Sequence, residues 1–337
     1  MSTAAHPSSP RPRRVFLLGA SGTIGQATAR ALVARGHDVV CFLRQRTGDA
    51  ARAEALSQRL AGTTLRYGDV TDPASLARDG FRGERFDALV SCLASRTGVP
   101  RDAWAIDHQA HVDALTAAQA ASVTQVVLLS AICVQKPQLA FQHAKLAFEA
   151  QLAASGVTWS IVRPTAYFKS LSGQVERVRQ GKPFLLFGDG TLTACKPIAD
   201  SDLAAFLADC LDDPAKANRI LPIGGPGAAQ TPRQQGEALF ALLGRPPKFK
   251  SVPVALLDTI AGVLAVLGKV IPPLEAKAEL AKIGRYYATE SMLVWDERRG
   301  RYDADATPST GTQTLADYHA ALLRGEATLD RGEHAVF

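Results

Sequence analysis

The chain is poor in cysteine, and none of it is paired by spacing. Its five cysteines, at positions 41, 92, 133, 195 and 210, form no C-x-x-C and no His-flanked pair. That scatter argues against a disulfide framework or a structural zinc site and fits a reduced, cytosolic chain. Blocks of one charge are also missing. Beyond RPRR at Arg11–Arg14, the residues behind the net charge of +6 are interspersed, so no nucleic-acid partner is expected. The positive excess suits an acidic small-molecule ligand or an anionic membrane surface equally well. The Pro- and Ser-rich opening lacks the apolar core of a signal peptide and reads as a disordered tail over 1–13. No hydrophobic run is long enough to cross a bilayer: the most apolar, Val252–Pro273, is interrupted by Asp258 and Lys269. It reads as a buried or interfacial helix, core being the favoured place and a membrane surface the other.

What is present is a large apolar fraction, 47% of 337 residues, enough for one big domain or one and a half. Short apolar runs at 14–19, 38–44, 64–68, 86–93, 124–130 and 158–163 read as strands. Helical segments lie between most of them, notably 101–121 and 139–155. The alternation predicts an α/β fold, a doubly wound parallel sheet of the Rossmann type. After Pro164 it fades into a helix (170–180), a GDG turn (188–190), a helix (201–211) and a short strand (219–224). The last third reads as mainly helical. The expected division is a nucleotide-binding domain over 14–225, with 170–199 contributing to a substrate cleft, and a capping region over 226–337. In such a fold ligands bind outside the carboxyl ends of the strands.

GASGTIG (Gly19, Ser21, Gly22, Thr23, Ile24, Gly25) follows a strand and opens a helix. Glycines at this spacing permit a tight turn and bring backbone N–H groups to a pyrophosphate. The next strand ends without the acid that usually grips an NAD ribose. It carries Arg44, then Arg46, and no acid until Asp49. A guanidinium there suits a 2′-phosphate, so the expected cofactor is NADPH. Asp69 and Val70 follow the third strand and are placed near the adenine; Leu93, Ala94 and Ser95 are placed beside the nicotinamide ribose.

A second absence concerns FQHAK, Phe141–Lys145. An aromatic four residues before a lysine is the spacing by which many nicotinamide-dependent reductases place an acid and its helper, and the aromatic is normally tyrosine. Phenylalanine has no proton to give.

Together GASGTIG, GDV (68–70), SCLAS (91–95), LLSAIC (128–133) and Lys145 resemble the atypical, extended-type short-chain dehydrogenase/reductases. The longer runs from Ser91, Leu128 and Ile161 resemble, more narrowly, the bacterial divinyl chlorophyllide a 8-vinyl reductase family, over about Arg14 to Thr314. The resemblance implies NADPH-dependent reduction of a vinyl group on a tetrapyrrole, an oxidoreductase acting on a CH–CH group. It also implies that Lys145 holds the nicotinamide ribose hydroxyls. Hydride addition to a conjugated vinyl group leaves charge on carbon, which the macrocycle delocalises, so no alkoxide needs a phenol at 141. Phe141 is then free to pack against the flat pigment. Catalytic candidates are Lys145, Ser130 and Tyr167, with Tyr167 the leading proton donor and Cys133 a weaker one. Pro164 and Thr165 are expected at the cofactor, Phe168 and Lys169 at the substrate. Lys169, Arg177 and Arg179 are available for a propionate. His108 and His111 share a helix face, and with no third ligand in the pattern, packing or solvation is expected of them. Two other readings stay open: an isoflavone-reductase-like enzyme with another substrate, and a non-catalytic NADP-sensing regulator or assembly factor.

Overall fold

A computed structural model describes residues 11–45, 50–268 and 272–328. The first eight strands in chain order are β1 (Arg14–Leu18), β2 (Asp38–Arg44), β3 (Thr64–Gly68), β4 (Ala88–Ser91), β5 (Gln125–Leu129), β6 (Thr158–Pro164), β7 (Phe184–Phe187) and β8 (Arg219–Ile223). All but β7 form one sheet in the order β3-β2-β1-β4-β5-β6-β8. Every pairing within it is parallel. Its order reverses between β1 and β4, which fixes the crevice where a dinucleotide would lie.

The strands read as continuous apolar runs because both faces are covered. Successive side chains alternate between two buried layers. Val15 and Leu17 of β1 join Val39, Cys41 and Leu43 of β2 under the Thr23–Ala34 and Asp200–Asp212 helices. Phe16 and Leu18 join Val40 and Phe42 on the other face, under the Ala110–Ala120 and Ala140–Ala153 helices. Phe16 stacks on Phe81 with ring centroids 4.1 Å apart and meets Phe86 edge-on. Burying such a ring contributes about 1.5–3 kcal/mol, so this cluster fixes β1 against the segment that leads into β4.

Several elements differ from the expectation. The 101–121 segment is helical but contains a wide π turn over Trp104–Gln109. The 170–180 helix is two short ones, Phe168–Leu171 and Val175–Arg179, broken around Gly173. There Ser172 Oγ donates back to the Phe168 carbonyl at 2.7 Å, and glycine is a poor helix former. β7 pairs in parallel with β9 (Phe249–Val252), a small sheet that sequence reasoning missed. β10 (Val294–Asp296) and β11 (Arg301–Asp303) form an antiparallel hairpin. The expected core helix at 252–273 is corrected. Its helix spans Val254–Gly268, and Leu256, Ile260, Val263 and Leu267 are all exposed. Among the described residues no helix is long and apolar enough to cross a membrane.

Candidate active site

The glycine loop leaves β1 through Gly19 at φ +76°, where a Cβ would lie 2.4 Å from the Cys92 carbonyl. A Cβ on Gly25 would lie 2.2 Å from the Gly19 carbonyl oxygen, so both glycines let backbone pack on backbone. Gly22 differs: only the Gly19 oxygen, at 3.5 Å, stands near its Cβ position, and that side is open. The Thr23–Ala34 helix starts there with no side-chain cap and no acid in its first turn. Its leading N–H groups therefore have no side-chain partner, and the helix dipole favours an anion. The donors and open space fit a pyrophosphate. Ser21 and Gly22 are exposed at the crest, while Ile24 is buried in the layer below. Gln26 Nε2 braces the loop by donating to the Ser21 carbonyl at 3.0 Å. Thr23 hydrogen-bonds Asp200, whose carboxyl pKa is pushed up chiefly by burial.

Arg44 ends β2 and is exposed; Arg46 lies outside the described residues. Asp69, just past β3, accepts hydrogen bonds from the Thr71 hydroxyl (2.7 Å) and N–H (2.9 Å). These bonds, with the nearby Arg44 charge, hold its carboxyl below the usual range. Val70 is half-buried against the second layer.

Lys145 is buried, at 9% exposure. Its Nζ lies 2.9 Å from Asp107 Oδ1. Asp107 sits on the π turn, is 1% exposed, and its other oxygen, Oδ2, has no hydrogen-bond partner. The Ser95 N–H also points at Asp107 Oδ1, 3.3 Å away, so the 92–95 turn, Asp107 and Lys145 are joined. One helical turn on, His111 Nδ1 meets the Ile106 carbonyl at 2.8 Å, which requires the proton on Nδ1. Nε2 then accepts from Ser91 Oγ, also at 2.8 Å, and Ser91 Oγ in turn accepts the Leu93 N–H at 3.3 Å. His111 thus braces the turn that carries Leu93 and the exposed Ala94. Burial, then the Lys145 charge, push the His111 pKa down to about 4. His108 takes a different partner, Gln151.

The structure does not bring all candidates to this edge. Ser130 is buried, and its hydroxyl donates to Glu149, which is ion-paired with Arg163. It is part of an anchoring network at the end of β5. Phe168, expected at the substrate, is 2% exposed and packs with Ala199, Leu315 and Tyr318. Pro164 and Thr165 are buried at the end of β6, where the Thr165 N–H donates to Ile223 and its hydroxyl to the Lys196 carbonyl. Arg179 pairs with Glu176, and Arg177 donates to the Pro183 carbonyl. Lys169 is half-buried and its charge bears on Asp200, beside the glycine loop.

Phe141 is half-buried in an apolar cluster with Ile132, Cys133 and Tyr286. Tyr167 packs on the first layer near Cys92 and Ile198, and burial raises its phenol above the ordinary range. From the Pro272–Thr289 helix, Tyr286 donates its hydroxyl toward the Cys133 and Lys136 carbonyls, at 2.9 and 3.0 Å. Tyr287 lies 3.8 Å from Cys133 Sγ through its hydroxyl. Sequence reasoning missed Asp107 and Tyr287. A signal for Asp107 existed: an acid four residues before His111 in a helix otherwise rich in alanine. Nothing local marks Tyr287.

Residues 19–214 match the family model described as NAD(P)H-binding. A divinyl chlorophyllide a 8-vinyl-reductase, chloroplastic, from Oryza sativa subsp. indica is 49% identical, over 97% of this chain and 83% of the relative. The photosystem II assembly factor Ycf39 of Cyanophora paradoxa is 24% identical, over 72% of this chain and 73% of its own. A solved NADPH-dependent quinone oxidoreductase from Escherichia coli, complexed with NADPH, aligns with a TM-score of 0.65 and 20% identity. That alignment covers 92% of this chain and 99% of the other, and shows a shared fold.

Proposed function

The chain belongs to the divinyl chlorophyllide a 8-vinyl-reductase family, and from that premise we propose that it uses NADPH to reduce the C8 vinyl group of divinyl (proto)chlorophyllide a to ethyl. The observation that carries the reading is the pairing at 141 and 145. The lysine is retained and buried against Asp107, while the position for a carbonyl acid holds Phe141 in an apolar cluster. Such an edge serves hydride delivery to a carbon–carbon double bond better than to a carbonyl.

Bound NADPH supplies the hydride. The residues that would hold it are the Gly19–Gly25 loop at the pyrophosphate, Arg44 at the 2′-phosphate, and Asp69 and Val70 at the adenine. Leu93–Ser95 and Lys145 would meet the nicotinamide ribose, with Pro164 and Thr165 closing the edge. Phe141 supplies an apolar ring for the pigment face, and Lys169 a cation for the propionate.

The exposed face of the Val254–Gly268 helix extends the proposal to where the enzyme works. Leu256, Ile260, Val263 and Leu267 recur at helical spacing along one side, and Lys248, just before β9, and Lys250, on it, are exposed. An apolar stripe with flanking cations suits peripheral contact with an anionic lipid surface, where apolar pigments partition. Co-flotation with vesicles containing phosphatidylglycerol, lost in Ile260→Glu and Val263→Glu, checks it; retention by the variants refutes this face.

The function is tested by mixing protein, NADPH and divinyl chlorophyllide and following the Soret band. The expected result is a blue shift with stoichiometric NADPH loss and a product heavier by two hydrogens. NADPH binding without turnover would favour the nucleotide-sensing reading instead.

A further inference from the structure

Reducing a vinyl group consumes one hydride and one proton, and Phe141 cannot give the proton. The hydroxyls around the cofactor edge differ in what they already do. Ser130 is held by Glu149. Tyr286 donates to main-chain carbonyls. Tyr302 donates to Glu290 at 2.6 Å. Tyr167 lies with its ring against the sheet layer under the Asp200–Asp212 helix.

Tyr287 is placed otherwise. Its ring stands perpendicular to that of Tyr286, with centroids 5.7 Å apart, so the neighbour's anchored phenol fixes its direction. The residue is 39% exposed, while its hydroxyl is set against the buried Cys133 thiol. A thiol is a weak acceptor, so the phenol proton is not tied up there. Cys133 lies three residues beyond Ser130, past the end of β5. The Lys145 charge reaches that thiol and works against the upward push of burial on its pKa. Tyr287 and Lys145 therefore both act on the Cys133 thiol, one from the Pro272–Thr289 helix and the other from the Ala140–Ala153 helix.

We propose that Tyr287 is the proton donor of the vinyl reduction, delivered by the capping helix in place of the phenol missing at 141. The inference rests on the reductase reading. In the balanced step the C8 vinyl π bond breaks and two C–H bonds form, one with the hydride from NADPH and one with the Tyr287 proton. NADPH is oxidised to NADP+, the vinyl group becomes ethyl, and the phenolate recovers a proton from water. Burial raises the Tyr287 pKa well above that of a free phenol, so the acid form is kept at every working pH.

The test is Tyr287→Phe in the full chain, assayed with divinyl chlorophyllide and NADPH beside wild type and Tyr167→Phe. The expected result is a fall in kcat of about 100-fold or more, with the NADPH Kd and melting temperature unchanged because the ring is kept. The solvent deuterium isotope effect on kcat should rise as proton transfer becomes limiting. The effect from NADPH deuterated at the transferred position should fall. A purely structural tyrosine would leave both isotope effects where they were. Wild-type isotope effects and near wild-type kcat in Tyr287→Phe overturn the inference alone, as does a loss confined to Tyr167→Phe. Wild type that binds NADPH but leaves the vinyl group unreduced overturns the reductase reading, and the inference with it.

Discussion

Lys145 Nζ stands 2.9 Å from Asp107 Oδ1, and the two side chains come from different helices, one of them through a π turn. With the Asp107 side chain wholly buried and that of Lys145 nearly so, neither is a solvated surface charge. Removing one member of such a pair leaves the other charged and unpaired, at about 3–5 kcal/mol. Asp107→Ala should therefore lower the melting temperature and weaken NADPH binding, because Lys145 loses the group that aims it. Lys145→Ala should cut kcat severely and also leave Asp107 unpaired. Urea denaturation and NADPH titration of both variants measure this. A Lys145→Ala enzyme with normal kcat would remove Lys145 from the site.

Arg44 is the cation at the end of β2, where a dinucleotide of this fold places its adenosine ribose. Arg44→Asp should raise KM for NADPH and leave that for NADH little changed, by a charge-assisted contact of roughly 1.5–3 kcal/mol. Steady-state kinetics with both cofactors give the answer. Equal losses would show that this strand end does not read the 2′-phosphate.

The parallel sheet and the glycine loop were legible because their causes are local. Strands covered on both faces are apolar along their whole length, and only glycine satisfies the Gly19 and Gly25 approaches. The place of Arg44 at the end of β2 was legible for the same reason. The β7–β9 pair was not, since Phe184–Phe187 and Phe249–Val252 lie far apart in sequence and each is four residues long. The inward turn of Asp107 depends on one extra residue per turn at Trp104–Gln109, which no periodicity announces. Phe168, an aromatic after a functional strand, reads as a substrate wall, and its burial with Ala199 and Leu315 depends on elements far away in sequence. Tyr287 meets Cys133 across 154 residues, a relationship only the folded chain creates. The apolar helix at 254–268 misled because composition suggested burial, and burial depends on what lies opposite.

His111 and His319 are both buried with pKa values pushed down to about 4 by desolvation. In the unfolded chain a histidine titrates near 6.5. Between those values the unfolded state binds more protons, so stability is full above about pH 6.5 and falls as the pH drops toward 4. The slope is on the order of 1 kcal/mol per pH unit for each histidine, as an upper bound. Protonating His111 would also force a donor against Ser91 and loosen the 92–95 turn. Urea melts at pH 7 and pH 5 should show the loss. His319→Gln, which keeps a donor for Ser172 Oγ at 3.0 Å, should flatten the slope; an unchanged slope would assign the acid sensitivity elsewhere.

Phe141 tests the chemistry most directly. It lies in an apolar cluster with Ile132, Cys133 and Tyr286, four residues before Lys145. If hydride goes to a conjugated vinyl group, charge develops on carbon and spreads into the macrocycle, and a phenol at this position has no oxyanion to meet. Phe141→Tyr should then bring no gain in vinyl reduction. It places a hydroxyl among apolar neighbours, with a desolvation penalty of about 1–3 kcal/mol if it finds no partner. Activity should fall or stay level, and the melting temperature should drop. Phe141→Leu should keep part of the activity, since another apolar side chain of similar reach fills the cluster. A large rise in kcat for the tyrosine variant would overturn this account: proton delivery at position 141 would then be limiting, and the site would be that of a carbonyl reductase whose acid had been lost.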